Sequence, residues 1–259
     1  LRKVEMRALL APAAPDVDKV LELFKRERFV PATDTSVLFP CFAQWFVDSF
    51  LRTKWEATTP RRFRENESNH EIDLCQIYGM SELQTSMLRA KEDGARRGRL
   101  KSVVVDGEEW PSPLFEQENG EWRLGRAYRR TPEAGDVEAI AGLYTTGNFE
   151  RVFGGDRWSA EEKEHAFAVG LEHGNSTLGN VLMNALFLRD HNRTAGLLAA
   201  AHPDWDDERV FQTARNVTMA VLLHIVISDY IVHIAPADVR LEIDPGMAEQ
   251  ERWYRTNWI

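Results

Sequence analysis

Gln44 and Asp48 are the two residues whose types and spacing point most directly to chemistry. An amide can donate and accept a hydrogen bond at once, and a carboxyl group can take up and return a proton. Being four apart, they sit one turn above each other on a single face of any helix that carries them. The stretch Thr33 to Trp55 reads as that helix, starting near Thr35 or Ser36, with Pro40 tolerated in its first turns or marking a kink. Val37, Leu38, Phe39, Phe42, Ala43, Trp45, Phe46, Val47, Phe50 and Leu51 leave it no broad solvated face, which predicts burial all round. A buried ionisable group costs roughly several kcal/mol unless it is paired or used. Either the two polar groups line a pocket, or Asp48 meets a basic side chain from a neighbouring helix while Gln44 bonds to backbone.

Other chemistries find little support. The seven histidines never fall four apart or in a HExxH arrangement, which excludes the helical zinc-binding patterns. No GxSxG elbow occurs. Gly170, Gly174 and Gly179 lack the Gly-Lys pair of a phosphate loop, so close backbone approach is the better account of them. Only two cysteines occur, Cys41 and Cys75, without framework spacing; this fits a reducing compartment, and a cytoplasmic location is the expectation.

A chain of 259 residues, 43% of them hydrophobic, can bury a substantial core as one large domain or two small ones. A net charge of -9 argues against nucleic acid or an anionic membrane as partner. The longest apolar run, Val217 to Ile234, is interrupted by His224, Ser228, Asp229 and His233, and predicts a buried helix rather than a transmembrane segment. The helical pattern from Met247 to Ile259 ends without a stop signal, as expected of a fragment.

Around the Gln44 helix the pattern is mostly helical. Asp16 opens a short helix carrying Val17, Val20, Leu21 and Phe24. Ser81 caps another carrying Leu83, Met87 and Leu88. Leu100 to Trp110 predicts a β-hairpin turning at Asp106-Gly107, and residues 114–135 read as loop with a second turn signal at Asn119-Gly120. Asp136 to Tyr144 predicts one helix; Ser159, with Glu162 three residues on, caps another that continues through His165 and Phe167. Val181 to Ala201 predicts a long helix with a polar centre, and Asp206-Asp207 caps its antiparallel partner.

Several segments also match one family in order: FVPATDTSVLFPCFAQWFVDSFLRT, HEIDLCQIYG, LKSVVVDGEEWPSPLF, AFAVGLEH, LFLRDHNR, HPDWDDERVFQTAR and IVISDYIVHI. Together they resemble the catalytic domain of cyclooxygenases and related fatty-acid oxygenases, a branch of the animal-type haem peroxidase superfamily. The resemblance implies a mostly α-helical haem-peroxidase fold with one small β-hairpin, spanning residues 1–259 as a partial domain. It implies a b-type haem, a peroxide and an unsaturated fatty acid as partners, with small reductants as the alternative substrates and a catalytically silent helical scaffold as the alternative role.

By the same resemblance Gln44 matches the family's distal glutamine, Thr53 falls beside the haem, and Asp48 stands where the family has its distal histidine. Two consequences are open. Asp48 performs the histidine's proton transfer, its pKa raised by burial beside an apolar macrocycle, or the pocket holds haem without cleaving peroxide. A gapless match through AFAVGLEHGN places His173 near the distal side, where relatives hold a cationic residue; packing on a neighbouring helix is the other reading. Asp73 matches one ligand of the superfamily's calcium loop, but Ser49 replaces the acidic partner, so calcium is not expected. His191, inside LRDHNR, is assigned to structure, bonding with its charged neighbours and with the partner helix bearing Arg215 and Asp229. The family's proximal histidine and radical-forming tyrosine follow the segment matching WYRTNWI, which implies that both lie beyond Ile259. The chain alone is therefore expected to bind haem weakly or not at all. The carboxylate-clamp arginine would precede Leu1, and its tyrosine partner matches Ala237.

Overall fold

The computed structural model describes residues 16–51, 66, 68, 71–91, 93–128 and 159–235, divided into two units between Ser36 and Val37. Thr53 and the helix expected at Asp136 to Tyr144 lie outside the described residues. In the first unit, α1 (Val17–Phe24) begins where Asp16 accepts the Asp18 N–H at 2.8 Å, and none of its residues is buried.

The second unit opens with α2 (Leu38–Phe50), two to three residues later than its sequence signals predict. Pro40 sits in its first turn, where the missing N–H removes nothing the helix uses. After α3 (Cys75–Tyr78) and α4 (Glu82–Leu88), the latter capped by the Ser81 hydroxyl, come two antiparallel hairpins. The expected one pairs β1 (Ser102–Val105) with β2 (Glu108–Pro111). A second, β3 (Phe115–Glu118) with β4 (Glu121–Leu124), forms where a loop is predicted, so the single-hairpin expectation is corrected to two. The turns are alike: Asp106 and Gly107 have φ of 52° and 84°, Asn119 and Gly120 of 53° and 84°. Two successive left-handed residues suit the twist of a two-residue hairpin, and Asn-Gly and Asp-Gly tolerate them.

A capping box between Ser159 and Glu162 starts α5 (Ala160–His165), which stops before Phe167; Phe167 bridges to Pro113 instead. The long helix α6 (Leu178–Ala201) follows, then α7 (Asp207–Ile225), N-capped by Asp206 and continued through a wide π-type turn, Val226–Tyr230, into α8 (Ile231–Ile234). The main core gathers Phe42, Trp45 and Phe46 of α2, Ile77 and Tyr78 of α3, Leu100, Leu114, Phe187 of α6 and Phe211 and Leu222 of α7.

The expectation of a buried α7 is corrected. One stripe, Val210, Phe211, Ala214, Thr218 and Leu222, is buried, while Val217, Val221, Val232 and Ile234 are exposed. The continuous helix Asp207–Ile234 has 28 residues, and little of its most apolar stretch is buried. Length and composition alone would let it cross a bilayer. Its buried stripe, at the spacing of one helix face, shows a helix packed along one side.

Candidate active site

Helix α2 separates its two faces sharply. Phe42, Trp45, Phe46 and Ser49 point inward and are buried. The Trp45 ring stacks on Phe187 of α6 at 4.7 Å with 12° between planes, and Phe42 lies 5.9 Å from Phe46. The opposite side carries Gln44, which is exposed, and Asp48, which is half-buried, with exposed Val37, Leu38 and Leu51 at its ends. The prediction of burial on every side is thereby corrected, and with it the aim of Gln44 and Asp48 into the interior. Helical geometry presents only about one broad stripe to a core, so a helix apolar all round still leaves residues uncovered among its described neighbours. The two polar side chains do share one face, one turn apart, as their spacing requires.

Polar ties fix α2 in place. The Trp45 indole N–H donates to Asn184 Oδ1 at 2.8 Å, and Gln76 Nε2 donates to the Trp45 carbonyl at 3.3 Å. Asn184 Nδ2 then donates to the Gly174 carbonyl at 3.3 Å. Gly174 belongs to the 3-10 turn Glu172–Asn175, which carries His173. Asn180 Nδ2 donates to the His173 carbonyl at 2.9 Å, and the Ser176 hydroxyl donates to the same oxygen at 2.7 Å. The half-buried His173 therefore rides on a turn anchored to α6 and, through Asn184, to Trp45, the neighbour of Gln44. Asn180 and Asn184 are positioning residues that the motif reading passes over. Their signal was present in the sequence: amides spaced four apart at the start of an otherwise apolar helix.

At the other end of α2, Asn66 Nδ2 donates to the Phe50 carbonyl at 2.7 Å and the Ser68 hydroxyl donates to the Ser49 carbonyl. The Ser49 hydroxyl donates to Phe46 O at 2.6 Å. Asp73 Oδ1 accepts the Cys75 N–H at 3.0 Å, and its other oxygen lies 3.8 Å from the Arg215 guanidinium. The two residues considered for calcium are thus engaged with backbone and a cation.

His191 is structural, as expected, but its partners differ from those predicted. Its Nδ1 pairs with the Tyr78 hydroxyl and its Nε2 with the Gly98 carbonyl, both at 2.8 Å. Arg189 pairs with Glu108 at 2.8 Å, and Asn192 Nδ2 donates to the Leu100 carbonyl at 3.1 Å and to Glu109 at 2.8 Å. The polar centre of α6 grips the segment from Gly98 through the first hairpin, while Arg215 of α7 turns to Asp73. With both nitrogens bonded, His191 has no lone pair to offer a metal.

A cleft of about 480 Å³ lies away from α2, lined by Ser86, Arg89, Lys91, Asp93, Asp206, Asp207 and Glu208. Its arginine is paired with Asp207 at 2.6 Å and with Glu208, Lys91 donates to the Ser86 hydroxyl at 2.5 Å, and Asp206 caps α7.

On the side turned from the described core, α2 carries an amide and a carboxyl, groups whose chemistry suits hydrogen bonding to a small oxygen ligand. Of the described histidines, His191 is excluded as an iron ligand by its own hydrogen bonds.

The helical architecture is that of a haem-peroxidase domain, and the chain belongs to the animal haem peroxidase family, whose sequence model matches residues 30–243. It is similar to prostaglandin G/H synthase 2 of Cavia porcellus, 29% identical over 95% of this chain and 34% of that protein. It is also similar to prostaglandin G/H synthase 1 of Mus musculus, 30% identical over 95% and 34%. The chain thus spans about a third of the length of the curated relatives it matches. Among solved structures, peroxidase A of Dictyostelium discoideum shares the fold, with a TM-score of 0.53 at 18% identity over 84% of this chain and 45% of that one.

Proposed function

We propose that the protein, over its full length, is a haem-dependent oxidoreductase that uses peroxide and O₂ to oxidise an unsaturated fatty acid. The observation that carries the reading is that Gln44 and Asp48 lie one turn apart on the side of α2 turned from the described core. The similarity to prostaglandin G/H synthases along nearly all of the chain supports the family chemistry. The choice of fatty acid as substrate rests on those relatives and on no side chain described above.

Bound haem would supply the redox chemistry of peroxide cleavage and substrate oxidation. The chain's own residues would do the rest. Gln44 would donate to an oxygen of the bound peroxide and orient it. Asp48 would take the proton from one oxygen and return it to the departing one. His173 sits on a turn held by Asn180 and linked through Asn184 to Trp45, on the inward side of α2, so its part at the haem rests on the family resemblance alone. Two separate thiols, Cys41 and Cys75, agree with a reducing, cytoplasmic setting.

The test is haem titration of the full-length protein, followed by oxygen uptake with linoleate or arachidonate. A Soret band with uptake is the expected result. Colour with peroxidase turnover but no uptake would reassign the protein to small reductants, and no colour would reassign it to a scaffold. Asp48→Ala should lower peroxidase turnover by roughly 100-fold or more if the carboxyl carries the proton; unchanged turnover would remove Asp48 from the site.

A further inference from the structure

The most self-contained chemical group outside α2 is the buried pair Tyr78 and His191. Tyr78 is 0% exposed, and its hydroxyl lies 2.8 Å from Nδ1 of His191. The direction of that bond follows from the other nitrogen. Nε2 faces the Gly98 carbonyl at 2.8 Å, and a carbonyl only accepts, so Nε2 carries the ring proton and Nδ1 has its lone pair towards the phenol. The phenol is the donor, and the imidazole is a base waiting on its proton.

The surroundings favour moving that proton only together with an electron. Burial pushes the Tyr78 pKa well above the phenol range, so loss of the proton alone is suppressed. Burial holds His191 down at about 4, and the Arg89 and Arg215 guanidinia also disfavour its charged form, so the ring is neutral at neutral pH and accepts only from an acid much stronger than a phenol. The Arg215 guanidinium stands 5.0 Å from the Tyr78 ring centre and opposes any cationic ring. Arg89, over Phe211 at 4.1 Å, adds to that field, and Asp190 offsets part of it. Phe211 closes the site, edge-on to both rings at 5.8 and 5.2 Å. A phenol that has lost an electron is such an acid, so an oxidised ring sheds its proton to the imidazole in contact with it.

We propose that Tyr78 and His191 form a proton-coupled redox site that stores one oxidising equivalent as a buried neutral tyrosyl radical. One electron leaves the Tyr78 ring for a one-electron oxidant. The O–H bond breaks as the proton crosses to Nδ1, and a new N–H bond forms; the resulting imidazolium keeps its Nε2–H bond to Gly98. Reduction by one electron, from a phenol-type reductant, returns the proton and restores the pair. In the cell the oxidant would be the peroxide-oxidised haem of the reading above, and only its source rests on that reading.

The test supplies its own oxidant. The chain is oxidised in a laser flash by ruthenium(III) tris-bipyridine and frozen, and the radical is read by electron paramagnetic resonance with nitrogen and exchangeable-proton couplings. The expected result is a neutral tyrosyl signal coupled to one imidazole nitrogen and one exchangeable proton. It should vanish in Tyr78→Phe and persist in Tyr128→Phe, since Tyr128 is buried but its hydroxyl has no hydrogen-bonded imidazole. In His191→Gln, where the amide cannot take a proton, the yield should fall roughly tenfold or more. A signal unchanged in Tyr78→Phe, or a wild-type signal without imidazole coupling, or no tyrosyl signal at all, overturns the proposal. The coupling is measured on the unmodified chain and so does not depend on any variant folding. Because the flash bypasses haem, a protein that fails to bind haem can still pass, and one that binds it can still fail.

Discussion

The indole N–H of Trp45 donates to Asn184 Oδ1 at 2.8 Å, across the seam between α2 and α6, and the same amide continues to the Gly174 carbonyl. Both side chains are buried, so neither end of the chain of bonds can turn to water. Asn184→Leu fills similar space but strands an indole N–H and a carbonyl, which should cost about 2–4 kcal/mol by urea denaturation. It should also loosen the turn bearing His173, seen as faster hydrogen exchange at residues 172–176. Loss of stability without that local change would show that Asn184 matters to the core and not to the candidate site.

His191 makes stability depend on pH in a defined window. Burial depresses its pKa from 6.5 in the unfolded chain to about 4 when folded, so between those values the unfolded state binds the extra proton. Stability should therefore rise with pH through this window and fall as pH drops from about 6.5 towards 4, by on the order of 3 kcal/mol in full. Urea midpoints measured across the window should flatten in His191→Gln. An equal slope in that variant would assign the dependence to another group.

How much of this was legible beforehand follows from what each signal measures. Helix caps at Asp16, Ser81, Ser159 and Asp206 were readable because each satisfies a local N–H. The turn at Asp106-Gly107 was readable for the same reason, and Asn119-Gly120 carried an equal signal whose flanking strands, FEQE and EWRL, are too charged to read as strands. Which side of α2 faces the core was not legible, because apolar residues occupy both sides and only the position of α6 chooses between them. The partners of His191 were illegible for a related reason: Gly98 and Tyr78 are distant in sequence and reach it only once α6 is flanked by both segments.

The glycines divide into those that are filled against and those that are not. A Cβ on Gly170 would lie 1.9 Å from the Cys75 carbonyl oxygen and 2.4 Å from the Gly79 nitrogen, both backbone atoms that cannot swing aside. Gly170→Ala should destabilise the protein by about 3 kcal/mol or more. Within α6, a Cβ on Gly196 would meet nothing within 4 Å, and Gly196→Ala should add up to about 1 kcal/mol of stability through helix propensity. Thermal denaturation of the two variants should shift in opposite directions; a stabilised Gly170→Ala would contradict the close contact with α3.

Glu109 ties the first hairpin to α6. Its Oε1 accepts from Asn192 at 2.8 Å, Ser102 at 2.6 Å and Arg99 at 2.6 Å. Burial pushes its pKa up, but the Ser102 and Asn192 hydrogen bonds and the Arg99 guanidinium outweigh it and hold the carboxyl below its ordinary value. A carboxyl depressed on folding stabilises the folded state above its unfolded pKa and stops doing so as pH falls through the folded one. Glu109→Gln keeps the shape but removes the charge that Arg99 and the donors answer, and should cost about 1–3 kcal/mol at neutral pH, less below the carboxylate range. Because the tie is local, hydrogen exchange should quicken in β1 and β2 and stay unchanged in β3 and β4, whose pairing involves none of these bonds. Uniform quickening in both hairpins would mean that Glu109 supports global stability and not the docking of this hairpin on α6.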